Sequence, residues 1–242
     1  MPRSVDSVLD HALSVLLPAR CVLCGWQAYG AGYDLCAACE AALPGSSLLP
    51  TPGRVTGHLS FRRSFAACAY VRPVDAMIQA LKYGGQLVFG RVLGELLARR
   101  VAAFGLDGAV DCVLPVPLHP QRHAERGFNQ SAEIARFAAR ALALPFEERL
   151  AVRRSQTPPQ VGLPPAARQS NVRGAFATAP APIRGRRIAI VDDVITTGST
   201  VAELARVLCE AGAAAVDVWC VARASCDTPS RGRRMEGFPG EP

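Results

Sequence analysis

Late in the chain, one continuous stretch reads Ile190-Val191-Asp192-Asp193-Val194-Ile195-Thr196-Thr197-Gly198-Ser199-Thr200. The run from Arg187 to Val191, apolar after its first residue, predicts a buried β-strand, and the periodic pattern from Thr200 to Glu210 predicts an α-helix. Gly212 stands where a C-terminal helix cap is expected. A polar segment therefore follows a buried strand and opens a helix, which is where parallel α/β sheets bind their ligands.

Each part of this segment has its own chemistry. Asp192 and Asp193 are expected just past the strand, since carboxylates are costly to bury, and there they can accept hydrogen bonds from vicinal hydroxyls or hold a divalent metal. Thr196 to Thr200 offers hydroxyls and backbone N–H groups at a helix N-terminus, which bind phosphate without a cationic side chain. Gly198 permits a positive φ angle or a close backbone approach. The combination matches a ribose 5-phosphate; the structural alternative is a capped helix beside two solvated aspartates.

The surrounding sequence predicts three more strands and three more long helices. The strands are expected at Phe65 to Val71, Cys112 to Pro117 and Val216 to Ala222. The helices are expected at Val74 to Leu81, Leu87 to Phe104 and Gln130 to Ala143. Strands that alternate with helices require crossover connections, so the sequence predicts an α/β fold with a parallel sheet flanked by helices.

The string from Ile190 to Thr200 resembles the diphosphoribosyl-binding signature of type I phosphoribosyltransferases. Further stretches are similar to one branch of that superfamily, the ComF (competence protein F) family. They are Leu81-Lys82-Tyr83-Gly84-Gly85, Pro115 to Pro120 with Arg126-Gly127-Phe128-Asn129-Gln130, and Arg154 to Phe176. The resemblance covers nearly everything from about Cys21 to Ala224. It implies a type I phosphoribosyltransferase fold preceded by a small zinc module with four cysteine ligands.

The same resemblance implies a set of ligand-binding residues. Phosphoribosyl diphosphate with Mg²⁺ would lie against Asp192, Asp193, Thr196, Thr197, Gly198, Ser199 and Thr200. The candidates for a pyrophosphate loop are Lys82, Leu118, His119, Arg122 and Arg126. The candidates in a flexible loop that closes over the site are Arg153, Arg154, Arg168, Asn171 and Arg173. An ordinary basic surface loop and a solvated, passive loop are the structural alternatives, and Lys82 would also be stable at a helix C-terminus.

The N-terminal cysteines form two Cys-x-x-Cys pairs, Cys21 with Cys24 and Cys36 with Cys39, separated by eleven residues. Two such knuckles complete a tetrahedral site, for which zinc is favoured over an iron–sulfur cluster, and such a closed site is structural. Two redox-active pairs are the alternative. Trp26, Tyr29 and Tyr33 lie between the knuckles and would pack a small core or stack on bases.

The remaining cysteines fit burial better than disulfides, since the chain has nine in total and nothing in its sequence indicates secretion. Cys68, Cys112, Cys209 and Cys220 fall in apolar patterns and are expected to be inert core residues, while Cys226 is unassigned. The net charge is +7, and Lys82 is the only lysine. The arginine excess reflects either a biased composition or a surface for phosphate-bearing ligands.

The 242 residues suit one medium domain with a small one before it. We expect a helix and zinc module over residues 1–45, a turn-rich linker over 46–63, a phosphoribosyltransferase-like domain over 64–226 and a disordered tail over 227–242. Val5 to Leu17 predicts a short amphipathic helix in a cytoplasmic protein, because Asp6 and Asp10 interrupt the apolar run that a signal peptide needs. No apolar run reaches the length of a membrane span.

Three functions remain open on the sequence alone. The first is a phosphoribosyltransferase that displaces pyrophosphate, with Mg²⁺, towards an acceptor that the sequence does not name. The second, which the family resemblance suggests, is a non-catalytic module for single-stranded DNA or for competence and DNA-processing proteins, with a vestigial or sensory phosphoribosyl pocket. The third is a zinc-dependent interaction protein, against which the intact acidic pair weighs.

Overall fold

The structure is a computed structural model that describes residues 20–28, 34–45, 51–55, 58–155, 172–179 and 182–224. These residues belong to two compact units, with the division between Leu43 and Pro44. The first unit holds the four N-terminal cysteines and one short helix, α1 (Ala37–Ala42). The predicted helix at Val5 to Leu17, the predicted tail and Cys226 lie outside the described residues.

The second unit is built on a five-stranded sheet. Its strands are β1 (Thr51–Val55), β2 (His58–Ala69), β3 (Cys112–Pro115), β6 (Arg187–Ile195) and β7 (Ala215–Arg223), in the order β1-β2-β7-β6-β3. Within this sheet β1 is antiparallel to its neighbour, β2, and the other three pairings are parallel. A separate two-stranded ribbon pairs β4 (Ala151–Arg153) with β5 (Phe176–Thr178). The predicted α/β fold with a parallel sheet is confirmed.

Among its described residues the second unit has five α-helices: α2 (Val74–Gly84), α3 (Val88–Ala103), α4 (Pro120–Arg126), α5 (Gln130–Ala141) and α6 (Ser199–Glu210). The apolar stripe of α6 buries Val201, Leu204 and Leu208 against strand residues that include Ile190 and Val218. Helices α3 and α5 also contact the sheet and pack against each other. Every residue from Ile188 to Val191 is buried, as expected for a strand covered on both faces. No helix in the described part of the chain is both long and apolar enough to cross a membrane.

The prediction of a turn-rich linker over residues 46–63 is wrong for the part of this range that the structure describes. That part is occupied largely by β1 and by the start of β2. Pro52 and Gly53 suggested a turn. In the structure they lie on an edge strand, where Pro and Gly are tolerated, and the register of β1 shifts between Pro52 and Arg54.

Helix α4 was also missed, since residues 120–126 were expected to be a loop. None of its residues is buried, so it has no apolar face that periodicity could reveal. The capping signals are nevertheless present: Pro120 occupies the first turn, His119 caps the N-terminus, and Gly127 follows with a φ of 82°.

Cys209 is exposed, which corrects its assignment to the core, whereas Cys68, Cys112 and Cys220 are buried as expected. In α6 the buried stripe passes through Leu204, Ala205 and Leu208, and position 209 lies beside it. The α6 helix ends as predicted, because Gly212 adopts a φ of 95° directly after the C-cap Ala211.

The amino-terminal edge of the sheet is held by ion pairs. The Asp217 side chain is 0% exposed and accepts hydrogen bonds from Arg62 at 2.8 Å and from Arg63 at 2.9 Å. Asp111, immediately before β3, pairs with Arg187 at the start of β6 at 2.5 Å. These carboxylates lie at the edge of the sheet opposite to the strand ends where ligands bind.

Replacing Gly94 by Ala is expected to destabilise the protein by about 1–3 kcal/mol, the usual cost of overpacking a helix contact. A Cβ atom at Gly94 of α3 would lie 2.5 Å from the Ile134 carbonyl oxygen and 2.8 Å from the Phe137 Cβ, so α3 and α5 would have to separate. Urea denaturation measures the change. Gly84→Ala is the control, because its added Cβ would make only 3.8 Å contacts; equal stability of both variants would contradict the prediction.

Candidate functional site

The two adjacent carboxylates lie inside β6, which runs on to Ile195, whereas the sequence placed them just past its end. The reason is the pairing of the strand. On one side β7 continues alongside, with Asp192 opposite Cys220 and Val194 opposite Ala222. On the other side β3 has already ended, at Pro115 opposite Val191. Asp192 and Asp193 therefore lie on a strand segment that is paired on one side only, at the carboxyl edge of the sheet.

Asp193 is 3% exposed and forms an ion pair with Lys82 from the last turn of α2. The Lys82 Nζ lies 2.7 Å from the Asp193 Oδ2. Burial lowers the pKa of Lys82, but the Asp193 carboxylate more than offsets it, so this pKa lies above its ordinary value. The only lysine of the chain thus forms an ion pair with the acidic pair. Its role in a pyrophosphate loop remains a prediction.

Lys82→Met is expected to destabilise the protein by about 2 kcal/mol, less than the ~3–5 kcal/mol of a fully buried pair because Lys82 keeps part of its side chain exposed. The loss leaves the Asp193 carboxylate buried without its counter-charge. Urea denaturation of Lys82→Met, Asp193→Asn and the double variant forms a double-mutant cycle. We expect the double variant to be more stable than the sum of the two losses predicts; additive losses would show that the ion pair is unimportant.

Asp192 is half-buried, and its Oδ1 accepts a hydrogen bond of 2.9 Å from the Ser131 hydroxyl in the first turn of α5. Burial and the neighbouring Asp193 carboxylate raise the pKa of Asp192 to about 7, against the opposing effects of Lys82 and Ser131. Two carboxylates therefore face one ammonium group. Their oxygen atoms are available as metal ligands or as hydrogen-bond acceptors. Such a set suits a hard divalent cation or the hydroxyl groups of a ligand.

The loop from Thr196 to Gly198 connects β6 directly to α6. Gly198 has the positive φ that the sequence allowed, 78°, and occupies the N-cap position. The Thr197 and Ser199 hydroxyl oxygens lie 2.8 Å apart. Thr196 is exposed, Thr197 and Thr200 are half-buried and Ser199 is buried. The loop and the first turn of α6 thus bring four hydroxyl side chains to the positive end of a twelve-residue helix, close in sequence to the two carboxylates.

The segment after β3 approaches the same edge. The Val116 N–H donates to the Val191 carbonyl at 2.9 Å, and the Asn129 side chain donates to the Val116 carbonyl at 3.0 Å. Asn129 also caps α5, so the helix begins where the sequence predicted. Leu118 and His119 follow closely after Val116 and are half-buried. The segment after β3 therefore begins beside Val191, which directly precedes the acidic pair, and its role as a pyrophosphate loop remains a prediction.

The arginines of α4 have different surroundings. Arg122 is half-buried and lies close enough to Arg153 to lower its pKa. The Arg126 guanidinium lies over the Tyr83 ring, 5.5 Å from its centroid, and donates a hydrogen bond to the Gln130 side chain. Arg126 thus faces the end of α2.

The arginines expected in a flexible loop are only partly described. Arg153 ends β4, where it pairs with Phe176 and stacks on its ring at 5.4 Å. Burial and the positive charge of Arg122 lower the pKa of Arg153, and the negative charge of Asp192 opposes them. Arg154, directly after β4, and Arg173, shortly before β5, are exposed. Arg168 and Asn171 lie outside the described residues.

Three contacts of this region were not predicted from the sequence. Ser131 follows the stretch Arg126 to Gln130 but offered no pattern of its own. The contact of Tyr83 with Arg126 joins two helices that are distant in sequence. Glu203 of α6 accepts a 2.8 Å hydrogen bond from the Gly174 N–H and pairs with Arg206, which fixes the segment just before β5 to the helix that follows the Thr-Gly-Ser-Thr loop.

The N-terminal unit brings Cys21, Cys24, Cys36 and Cys39 together, with all four Sγ atoms within 4.8 Å of one another. The Cys24 and Cys36 Sγ atoms are 3.7 Å apart. A zinc tetrahedron with Zn–S bonds of about 2.3 Å requires S–S edges of about 3.8 Å, whereas a disulfide requires about 2.05 Å. The cluster is therefore compatible with zinc.

Trp26, between the two knuckles, is 76% exposed and does not pack a small core. Tyr29 and Tyr33 lie outside the described residues.

The chain is similar in sequence to several known proteins. The family described as "Phosphoribosyl transferase domain" matches residues 129–234. DNA utilization protein YhgH of Escherichia coli (strain K12) is 32% identical over 226 residues, which are 86% of this chain and 98% of that protein. Competence protein F of Haemophilus influenzae is 35% identical over 163 residues, which are 64% of this chain and 70% of that protein.

Two solved structures are similar over part of the chain. Glutamine phosphoribosylpyrophosphate amidotransferase from B. subtilis is 26% identical with a TM-score of 0.37, covering 53% of this chain and 25% of that chain. Orotate phosphoribosyltransferase from Aeropyrum pernix is 20% identical with a TM-score of 0.34, covering 57% of this chain and 73% of that chain.

Proposed function

The chain belongs to the family of competence protein F and DNA utilization protein YhgH, and from this membership we propose that it binds phosphoribosyl diphosphate, or a related phosphoribosyl ligand, together with Mg²⁺. The observation that carries the proposal is the continuity of β6, loop and α6. Two carboxylates, one of them buried, are followed within seven residues by four hydroxyl side chains at a helix N-terminus.

Each part of a phosphoribosyl ligand has a matching group. We assign the ribose hydroxyls to Asp192 and Asp193, which would accept their hydrogen bonds directly or through the cation. The 5-phosphate would accept hydrogen bonds from the hydroxyl and N–H groups of Thr196 to Thr200. The pyrophosphate would lie against Leu118 and His119, with Arg122 and Arg153 as the neighbouring cations.

Mg²⁺ would be held by Asp192 or Asp193 and by ligand oxygens, and when bound it would neutralise charge on the diphosphate. The Lys82 ammonium would keep Asp193 fixed and ionised beside it, since the two are 2.7 Å apart. Ser131 would hold the Asp192 carboxylate in place through its hydrogen bond of 2.9 Å.

A narrower proposal is transfer of the phosphoribosyl group to an acceptor. The acceptor would supply an electron pair to C1 of the ribose, the bond from C1 to the diphosphate oxygen would break, and pyrophosphate would leave with that electron pair. The acceptor would then lose its proton to solvent. Arg122 and Arg153 would stabilise the negative charge of the leaving group.

For the first unit we propose a structural zinc site formed by Cys21, Cys24, Cys36 and Cys39, as the Sγ distances support. We also propose the domain organisation that the sequence predicts, in which the zinc module precedes a phosphoribosyl-binding domain. The described boundary between Leu43 and Pro44 is consistent with it.

A second candidate function is binding of single-stranded DNA without catalysis. The names of the relatives, DNA utilization protein and competence protein, favour it, as does a net charge of +7. A cationic protein surface binds the phosphate backbone with an affinity that falls as salt rises. In this case the phosphoribosyl pocket would serve as a sensor or would be vestigial, and the protein would act with DNA-processing partners.

Calorimetric titration of the full chain with phosphoribosyl diphosphate in the presence of Mg²⁺ tests the first proposal. Saturable binding of one ligand per chain is expected, and its absence in folded protein would refute the proposal. Single-stranded DNA is the comparison ligand. Salt-sensitive DNA binding that persists without the acidic pair would favour the second candidate, whereas pyrophosphate release that requires Asp192 and Asp193 would establish the transfer reaction.

A further inference from the structure

The side chain of Lys82 reaches the acidic pair from a helix that is firmly packed. Met77, Ile78 and Leu81 of α2 are fully buried. The Lys82 ammonium group lies 2.7 Å from the Asp193 Oδ2. Because α2 is held by its buried face, the ammonium group is a built part of this site and not a loose surface charge.

Hydrogen bonds hold one oxygen atom of each carboxylate. The Asp192 Oδ1 accepts from the Ser131 hydroxyl and from the Asp193 N–H, both at 2.9 Å. The Asp193 Oδ1 accepts from the Val194 N–H at 2.6 Å. The Asp193 Oδ2 is buried and accepts no well-aligned hydrogen bond from the described residues, so its close partner is the Lys82 ammonium group. Lys82 therefore balances the charge of this oxygen atom.

A divalent cation on the acidic pair would compete with this ammonium group for the same oxygen atom. Mg²⁺ binds carboxylate oxygens at about 2.0–2.1 Å, closer than the 2.7 Å between the Asp193 Oδ2 and the Lys82 Nζ, so a cation there would lie against the ammonium group. Two ionised carboxylates and one ammonium group leave a single net negative charge. A bare divalent cation would make the cluster positive in a partly buried place, which is costly, whereas a cation that arrives with an anionic ligand brings its own negative charge.

We infer that Lys82 determines which cations the acidic pair accepts: its ammonium group excludes bare divalent cations and admits them only as complexes with an anionic phosphoribosyl ligand. This inference rests on the proposed phosphoribosyl function and adds a specificity-determining residue to it. A compact ammonium group suits the role, because it fits against one carboxylate oxygen where the wider fork of a guanidinium group would not. The chain has 27 lysine and arginine residues, and this position holds its only lysine.

The test measures binding of bare Mn²⁺, which takes the same oxygen ligands as Mg²⁺ and whose free concentration is measured by electron paramagnetic resonance. The full chain is titrated at about pH 8, so that protons do not replace the lost ammonium group on the carboxylates. Lys82→Gln is expected to bind bare Mn²⁺ at least about tenfold more tightly than the wild type. Even in water, a single and a double positive charge a few ångströms apart repel by more than the free energy of a tenfold change. Lys82→Met, also neutral, should show the same gain.

Arg62→Gln is the matched control. It removes one positive charge at the opposite edge of the sheet, where the Asp217 carboxylate keeps Arg63 as its partner at 2.9 Å. Its affinity for bare Mn²⁺ should stay within about twofold of the wild type, because salt screens charges that lie far apart. Loss of stability cannot produce the expected gain, since a loosened site would bind the cation less tightly.

The results that overturn the inference are distinguishable from failure of the proposed function. If folded Lys82→Gln and Lys82→Met bind bare Mn²⁺ no more tightly than the wild type, Lys82 does not exclude the cation, while calorimetric binding of the Mg²⁺-phosphoribosyl diphosphate complex still supports the phosphoribosyl proposal. An equal gain in Arg62→Gln would assign the effect to the net charge of the protein and refute the role of Lys82. Failure of folded wild-type protein to bind that complex would remove the proposed function and this inference with it.

Discussion

Replacing both Asp192 and Asp193 by Asn is expected to weaken binding of Mg²⁺-phosphoribosyl diphosphate at least about 100-fold, because each charge-assisted hydrogen bond contributes ~1.5–3 kcal/mol. The asparagine side chains preserve volume but no longer carry the negative charge that a divalent cation requires. Calorimetric titration measures the loss. It should be accompanied by urea denaturation, because the double variant leaves Lys82 without its carboxylate partner.

The single variants separate binding from stability. Asp192→Asn keeps the ion pair of Lys82 with Asp193 and should lose affinity while it retains stability, whereas Asp193→Asn should lose both. Asp111→Asn is the matched control, since it makes the same change of charge at the opposite edge of the sheet, where Asp111 pairs with Arg187. Unchanged affinity in the double variant would mean that the phosphoribosyl assignment of this site is wrong.

The fold was predictable because the central strands carry their signal locally. The apolar run after Arg187 and the run from Val216 specify strands buried on both faces, and the structure has strands at both places. The limits of these strands depend on distant partners. β6 extends through Asp192 and Asp193 because β7 continues beside it, and no feature of residues 190–195 alone reveals that pairing.

The two errors in secondary structure have a related cause. Periodicity detects elements that bury one face, and α4 buries none. The strand β1 lies at the edge of the sheet, where Pro52 and Gly53 are allowed, so the residues that usually break a strand misled the assignment.

The site residues also fall into two groups, those predicted from local sequence and those that depend on distant contacts. Its contiguous parts, the acidic pair with the Thr-Gly-Ser-Thr loop and the two Cys-x-x-Cys pairs, were visible because their spacing along the chain carries the chemistry. The partnership of Lys82 with Asp193 and that of Ser131 with Asp192 bring residues of two helices to one strand, across separations of 111 and 61 positions. Only the packing of α2 and α5 at the carboxyl edge creates these contacts.

The N-terminal unit gives the other large expected effect. The full chain is expected to contain one zinc ion per molecule, and Cys24→Ser should lose it, because a hydroxyl cannot replace a thiolate at the fourth corner of the tetrahedron. In small cysteine modules zinc binding supplies about 10–16 kcal/mol, so the variant should also lose the fold around α1. Elemental analysis measures the zinc, and proteolysis measures the exposure of residues 20–43.

Cys209→Ser is the matched control for this change, because Cys209 and Cys24 are both exposed and neither forms a disulfide. Cys209 lies outside the four-sulfur cluster, so its variant should keep one zinc and the protease resistance of the wild type. Retention of zinc by Cys24→Ser, or a zinc-free wild type after purification with zinc present, would contradict the assignment. Formation of a disulfide between Cys24 and Cys36 would bring their Sγ atoms from 3.7 Å to about 2.05 Å and would remove two thiolate ligands from the zinc. Loss of zinc on oxidation should therefore be reversed by a thiol reductant.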